Sequence, residues 1–379
     1  MSDVRREAPS DVASLLCAEA GGRPARTASA DRLSLSLMAP FNCTTGYGSM
    51  GEYLALGLTY AGVKVNPVPL RLHLEGMTDE FREVLRCSQP DPTELQLYFH
   101  WLFSSYSVLE LFRASRNIFL YTTWEANRLP ASWVEQMNQV RAVIVPTRFN
   151  ARACRDSGVT TPVEVVAQGI DPQVYHYAER SRSSGLTTLM VGPVYGRKHI
   201  LTGIAAWKQV FAYDSQARLI IKTNYGSRNY IPDDPRIHFV YTNEVTRGIA
   251  HWYRQADVLL ALGNEGFGLP LVEGMATGLP VIALDSEGQS DICTDARGLV
   301  LPVPPGRYEG YDASQFGCGA GGVCGIPDEE CVAEQLAWVV GHREEARALG
   351  REASEWVLAH RNVWTMGAAV LEVLLHYKA

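Results

Sequence analysis

The sequence predicts an α/β chain made of two doubly wound, Rossmann-like domains. Three observations carry this: short apolar runs alternate with helical patterns after residue 32, glycine-rich turns stand at the carboxyl ends of several runs, and 379 residues suffice for two cores of ordinary size. The most informative stretch is 257–285, DVLLALGNEGFGLPLVEGMATGLPVIALD. Its two apolar ends suit buried strands, so the residues between them form a βαβ crossover.

Within that crossover Gly266 and Gly268 allow a tight loop close to a ligand, Pro270 is preset for a first helical turn, and Gly278 before Pro280 stops the helix. The helix N-terminus then points at whatever sits above 266–268, and its free N–H groups favour an anion there. Glu265 and Glu273, eight positions apart, bracket the site. Carboxylates so placed would repel a bare phosphate, but each accepts two hydrogen bonds from the vicinal diol of a ribose or a hexose. Taken singly, the two acids read equally well as a solvated loop acid and a helix-face acid.

The chain begins with a stretch, 1–32, rich in Ala, Ser and Arg and without a signal-peptide core, which is expected to be a disordered tail. A strand over 33–39 runs into Pro40-Phe41-Asn42-Cys43-Thr44-Thr45-Gly46-Tyr47-Gly48, a glycine loop before a helix over 50–61 and a second strand over 63–70. This order is compatible with a dinucleotide fold, but the later glycine and the ribose-binding acid of that fold are missing. Helices are expected over 78–86, 130–139 and 148–157, and strands over 94–100, 117–122, 142–146 and 163–167. Trp124 and Glu125 follow one strand at its carboxyl end, where doubly wound sheets bind ligands.

The second half starts with a strand over 186–191, and the turn 192–199 (GPVYGRKH) opens a helix to 211. Strands over 219–223 and 238–241 precede a helix over 243–254 with Asn243 as N-cap. After the crossover comes a glycine-containing loop over 286–291, an irregular insertion over 306–325, and helix over 327–378.

Composition narrows the function. A hydrophobic fraction of 46% and a charged fraction of 20% fit a globular enzyme, and a net charge of −7 argues against a general nucleic-acid binder. No run of 18 apolar residues is present, so no transmembrane segment is expected and the chain reads as cytoplasmic. The eight cysteines are scattered without a CxxC pair and are expected to be reduced thiols.

Taken together, Glu265, Gly266-Phe267-Gly268-Leu269-Pro270, Glu273 and Gly278-Leu279-Pro280-Val281-Ile282-Ala283 resemble the signature of the retaining GT-B glycosyltransferases of family 4. The run from Tyr121 through 146–149 and 158–159 to Gly169-Ile170-Asp171 is similar to the same family, and the likeness covers 33–305. It implies two Rossmann-like domains facing a central cleft: an acceptor-side domain over 33–170, a linker over 171–185, a nucleotide-sugar domain over 186–360, and a last helix, 361–379, crossing back to the first domain.

The resemblance further implies a hexosyltransferase that moves a hexose, with retention, from a nucleoside diphosphate sugar to a hydroxyl of a sugar, lipid-linked, small-molecule or protein acceptor. Glu273 would grip the donor ribose, while Glu265 and the Gly266, Phe267, Gly268 and Leu269 backbone would hold the hexose. Lys198 matches the family's phosphate-binding lysine, with Arg197 beside it. Gly46 and Gly48 would approach the diphosphate and acceptor, and His100 stands where the family has a cleft histidine. The chain departs from the pattern at Pro193, which occupies the place of an arginine five positions before the lysine.

No Asp-x-Asp triplet is present, so the leaving diphosphate is expected to be stabilised by cations and backbone dipoles, with no metal and no cofactor beyond the nucleotide-sugar co-substrate. Three other readings stay open at this level: a nucleotide-sugar-binding protein without transfer activity, a sugar-nucleotide epimerase, or a glycoside phosphorylase.

Overall fold

The computed structural model describes residues 33–41, 45–73, 77–89, 93–103, 107–112, 115–180, 185–194, 196–223, 233–242, 246–318 and 320–379. The expected tail 1–32, Asn42 to Thr44 and the N-cap Asn243 lie outside them.

The first domain holds strands β1 (Ser34–Phe41), β2 (Lys64–Leu72), β3 (Leu95–Phe99), β4 (Asn117–Tyr121), β5 (Ala142–Val145) and β6 (Val163–Val165), in the order β2-β1-β3-β4-β5-β6. All its pairings are parallel. Helices α1 (Gly46–Tyr60), α2 (Asp79–Arg86), α3 (Ala131–Met137) and α4 (Arg148–Asp156) connect them. The apolar runs become central strands because both sheet faces are covered: Leu35, Leu37, Phe99, Phe119 and Ile144 are fully buried.

The second domain repeats the layering. Strands β7 (Thr187–Val191), β8 (Arg218–Thr223), β9 (Ile237–Tyr241), β10 (Val258–Ala261), β11 (Val281–Leu284) and β12 (Leu301–Val303) lie in the order β12-β11-β10-β7-β8-β9, again all parallel. Its connecting helices are α5 (Ile200–Val210), α6 (Thr246–Gln255), α7 (Leu269–Ala276) and α8 (Gln289–Asp295). In such sheets ligands bind beyond the strand carboxyl ends where the strand order reverses. Those points fall between β1 and β3 in the first sheet and between β7 and β10 in the second.

Three expectations are corrected. The first helix starts at Gly46, so Gly46 and Gly48 sit in its first turn and not in a preceding loop; Thr45 caps it, its hydroxyl accepting from the Gly48 amide at 3.3 Å. The loop over 286–291 turns helical at Gln289. The insertion over 306–325 is an antiparallel hairpin of β13 (Pro305–Asp312) and β14 (Ala320–Pro327). Its glycine- and cysteine-rich sequence lacks apolar alternation, and its order comes from tertiary packing. Phe316 lies 5.5 and 5.7 Å, ring to ring, from Trp124 and Trp133 of the first domain, and Asn127 exchanges hydrogen bonds with Val323.

Helices α9 (Glu329–Gly341), α10 (Arg343–His360) and α11 (Val363–Tyr377) end the chain. The last packs on α1 of the first domain at a backbone-to-backbone crossing, where a Cβ on Gly57 would sit 2.3 Å from the Val363 carbonyl oxygen. Among the described residues no helix is long and apolar enough to cross a membrane.

Candidate active site between the two domains

A cavity of about 340 Å³ lies between the domains. It is lined from one side by the start of α1 and the end of β3, and from the other by the ends of β7 and β8 and the start of α7, so both strand-order reversals open onto it. Gly46, Arg197, Lys198, Glu265, Gly266, Phe267, Gly268, Leu269 and Glu273 all line it. Gly48 does not; it is buried in the first turn of α1. His100 does not line it either, although Phe99 and Trp101 on either side of it do. The His100 ring packs 3.9 Å from Trp101 and 4.9 Å from Tyr47, and burial lowers its pKa to about 4.

The cations and acids form one network. Arg197 sits between two carboxylates: its Nη1 is 3.0 Å from Glu265 Oε2 and its Nη2 is 3.5 Å from Glu125 Oε1, on the first domain. Arg197 Nη1 also donates to the Asn264 carbonyl at 2.7 Å, and Lys198 Nζ bonds Glu265 Oε1. Burial opposes ionisation of Glu265, but the charges of Arg197 and Lys198 outweigh it and hold its pKa at about 2. Burial lowers Lys198 while Glu265 pulls it back. Glu125 is raised by burial against the pull of Arg197, and it accepts from the Tyr311 hydroxyl at 3.1 Å.

Glu273 has a different environment. On the first turns of α7 its carboxylate is buried, and the Tyr253 hydroxyl donates to its Oε2 at 2.6 Å. Tyr175 also hydrogen-bonds it. Burial raises its pKa to about 7 against the tyrosine bonds and the amines of Lys198 and Lys222. The two acids thus differ in kind: one is ionised and ion-paired, the other is poised near neutrality.

The loop between them is pinned to the first domain. Thr147 Oγ1 donates to the Gly266 carbonyl at 3.1 Å, and a Cβ on Gly266 would meet Thr123 Oγ1 at 1.6 Å. Beside it the Arg148 amide donates to Asp291 Oδ2 at 2.6 Å, and Arg148 Nη2 is 2.8 Å from Asp295 Oδ1. Gly268, at φ 107°, leaves the N-terminus of α7 without a side-chain cap. That end of the helix faces the cavity through Leu269 and Pro270.

The family model for glycosyl transferases group 1 matches residues 185–311. Residues 185–311 form a glycosyl transferases group 1 domain. No curated protein sequence matches the chain. Among solved structures, a glycosyltransferase from Rickettsia africae superposes with a TM-score of 0.65 at 11% identity, covering 92% of this chain and 99% of that one. HepE of Anabaena, solved with UDP and glucose, gives 0.63 at 12% identity, covering 91% and 100%. A UDP-forming trehalose-phosphate synthase from Burkholderia vietnamiensis gives 0.60 at 10% identity, covering 91% and 97%. At such identities the likeness is one of fold: the chain has the GT-B fold, two Rossmann-like domains around a central cleft.

Three residues of the site went unread in the sequence. Lys222, at the end of β8, lines the cavity. Its only sequence signal is a lysine closing an apolar run, Leu219-Ile220-Ile221-Lys222. Tyr175 and Tyr253, which hold Glu273, come from the domain linker and from α6, and nothing in their local sequence distinguishes them from core tyrosines. Among the described residues no group of three or more His, Cys, Asp or Glu stands together as metal ligands would.

Proposed function

We propose that the protein is a retaining glycosyltransferase that moves a hexose from a nucleoside diphosphate sugar to an acceptor hydroxyl without a metal. The observation that carries this reading is the convergence of Glu265, Glu273, Lys198 and Arg197 with the open end of α7 in one interdomain cavity. That HepE of Anabaena was solved with UDP and glucose in this fold supports the choice of donor class. Glu273, fixed by two tyrosines, accepts the ribose hydroxyls of the donor. Glu265 and the backbone of 266–269 hold the hexose.

The bond from the anomeric carbon to the diphosphate oxygen breaks with oxocarbenium character. Lys198, Arg197 and the N-terminus of α7 take up the charge left on the diphosphate. The acceptor enters from the first domain beside Tyr47 and Trp101, and its proton passes to a leaving phosphate oxygen as the new bond forms on the same face. Glu125, committed to Arg197 and Tyr311, orients the arginine and does not attack the sugar.

A second reading, a nucleotide-sugar-binding protein without transfer, is favoured by one observation: Pro193 stands where a phosphate-binding arginine is expected, and the cations at hand already pair with carboxylates. Incubating the protein with UDP- and GDP-sugars, with and without EDTA, and assaying free nucleoside diphosphate separates the two. Donor hydrolysis unchanged by EDTA is the expected result. Tight binding with no turnover, even with acceptors supplied, would favour the binding protein, and a changed sugar still joined to its nucleotide would mean epimerisation.

A further inference from the structure

Among the described residues two that are not glycine have a positive φ: His199 at 48° and Glu287 at 47°. The left-handed region is costly for any residue with a Cβ, and such residues persist where neighbours fix them, most often at functional sites. Both are hydrogen-bonded to the same residue. Asn264, which precedes Glu265 and is fully buried, has its Oδ1 2.7 Å from His199 Nε2, while its Nδ2 donates to Glu287 Oε2 at 2.9 Å and to the Gly325 carbonyl at 2.6 Å.

The amide fits one way round. Exchanging its oxygen and nitrogen would set the oxygen against the Gly325 carbonyl, so Oδ1 faces His199 and the imidazole donates to it from Nε2. The main chain of Asn264 grips the same turn: its amide donates to the Arg197 carbonyl at 2.8 Å, and its carbonyl accepts from Arg197 Nη1 at 2.7 Å. Held at these three points, the chain starts α5 at Ile200 while Arg197 and Lys198 line the cavity. At the other end of the bridge the Gly325 amide donates to Glu287 Oε1 at 2.9 Å. Gly325 belongs to β14, in the hairpin whose Tyr311 bonds Glu125 and whose Phe316 lines the cavity.

We propose that Asn264 is a positioning residue: by holding His199 in the left-handed turn it aims Arg197 and Lys198 at the donor diphosphate, and through Glu287 and Gly325 it fixes that aim to the hairpin. Neither Asn264 nor His199 lines the cavity, so both act through the two cations and not on the sugar. The inference rests on the transferase reading of this cavity.

The test compares His199→Gly with His199→Ala in the full chain, because glycine adopts a positive φ freely whereas alanine, deprived of the Asn264 bond, is strained there. After melting curves show each variant folded, diphosphate release is measured at saturating UDP- or GDP-sugar, whichever the wild type turns over, together with calorimetric binding of the matching nucleoside. His199→Ala should slow release on the order of ten- to a hundredfold, the effect of displacing groups that meet the reacting atoms. Nucleoside affinity should stay at the wild-type value, since Glu273, the proposed ribose ligand, lies outside the turn. His199→Gly should recover most of the lost rate. Asn264→Ala should match His199→Ala in both measurements; if its melting curve shows it unfolded, the two His199 variants decide.

Release by His199→Ala at the wild-type rate would overturn the proposal. So would a His199→Gly variant as slow as His199→Ala, which would give the imidazole a role of its own, or a parallel loss of nucleoside affinity, which would mean general damage to the domain. In each of these cases wild-type turnover leaves the transferase reading standing. A wild-type chain that releases no diphosphate from any of these sugars would remove that reading and this inference together.

Discussion

Arg197 of the second domain meets Glu125 of the first across the cleft, Nη2 to Oε1 at 3.5 Å, while its other nitrogen holds Glu265 at 3.0 Å. One guanidinium therefore ties the two domains together at the point where the proposed reaction occurs. A diphosphate arriving at the end of α7 would compete with the carboxylates for it.

Arg197→Ala and Lys198→Ala should then differ. Both are expected to lower diphosphate release at saturating donor, by a factor on the order of 10²–10³ for loss of one preorganised charge. Arg197→Ala should also lower the melting temperature more, because it strips a partner from two buried carboxylates at once. Equal melting temperatures for the two variants would show that the interdomain pair contributes nothing to stability.

Nucleoside binding should depend on pH through Glu273. Its carboxylate form accepts the ribose hydroxyls, and burial puts its pKa at about 7, so affinity should rise with pH through that region and level off above it. Below it, affinity should fall about tenfold per pH unit. A nucleoside is the probe because it carries no phosphate that titrates nearby. Glu273→Gln should flatten the profile; an unaltered slope in that variant would assign the titration elsewhere.

Glu265 works in the opposite sense. Its pKa is held near 2, below the ordinary 4.5, so the stability it contributes is present above about pH 4.5 and is lost as the pH falls towards 2. Glu265→Gln should reduce this acid-side loss in urea or thermal titrations. The same variant should still bind free nucleotide but turn over donor at least tenfold more slowly, since its proposed partner is the sugar. Turnover at the wild-type rate would make Glu265 a structural counter-ion alone.

Gly266→Ala should be damaging without touching a charge. The added methyl would overlap Thr123 Oγ1 and press on the Trp124 carbonyl, forcing the loop off the first domain. Overpacking of this kind costs about 1–3 kcal/mol, and a lower melting temperature with slower turnover is expected. Thr123→Ala in the same chain should recover part of both; no recovery would place the damage in the loop's own conformation.

What the sequence determined by itself is what local chemistry encodes. Runs such as 257–262 and 280–284 suit buried strands, Pro270 and Gly278 bound a helix, and the spacing of Glu265 and Glu273 puts both acids on one loop and helix end. The tertiary structure decided everything that depends on residues far apart in the chain. Glu125 reaches Arg197, and Tyr253 and Tyr175 reach Glu273, only because two sheets and a linker converge on one cavity. The hairpin of β13 and β14 was unreadable for the same reason. Its order comes from Tyr311 and Phe316 packing on Trp124 and Trp133, contacts more than 170 residues apart in the chain. A buried lysine at a strand end, Lys222, has no local pattern to mark it; its meaning comes from the neighbours the fold gives it.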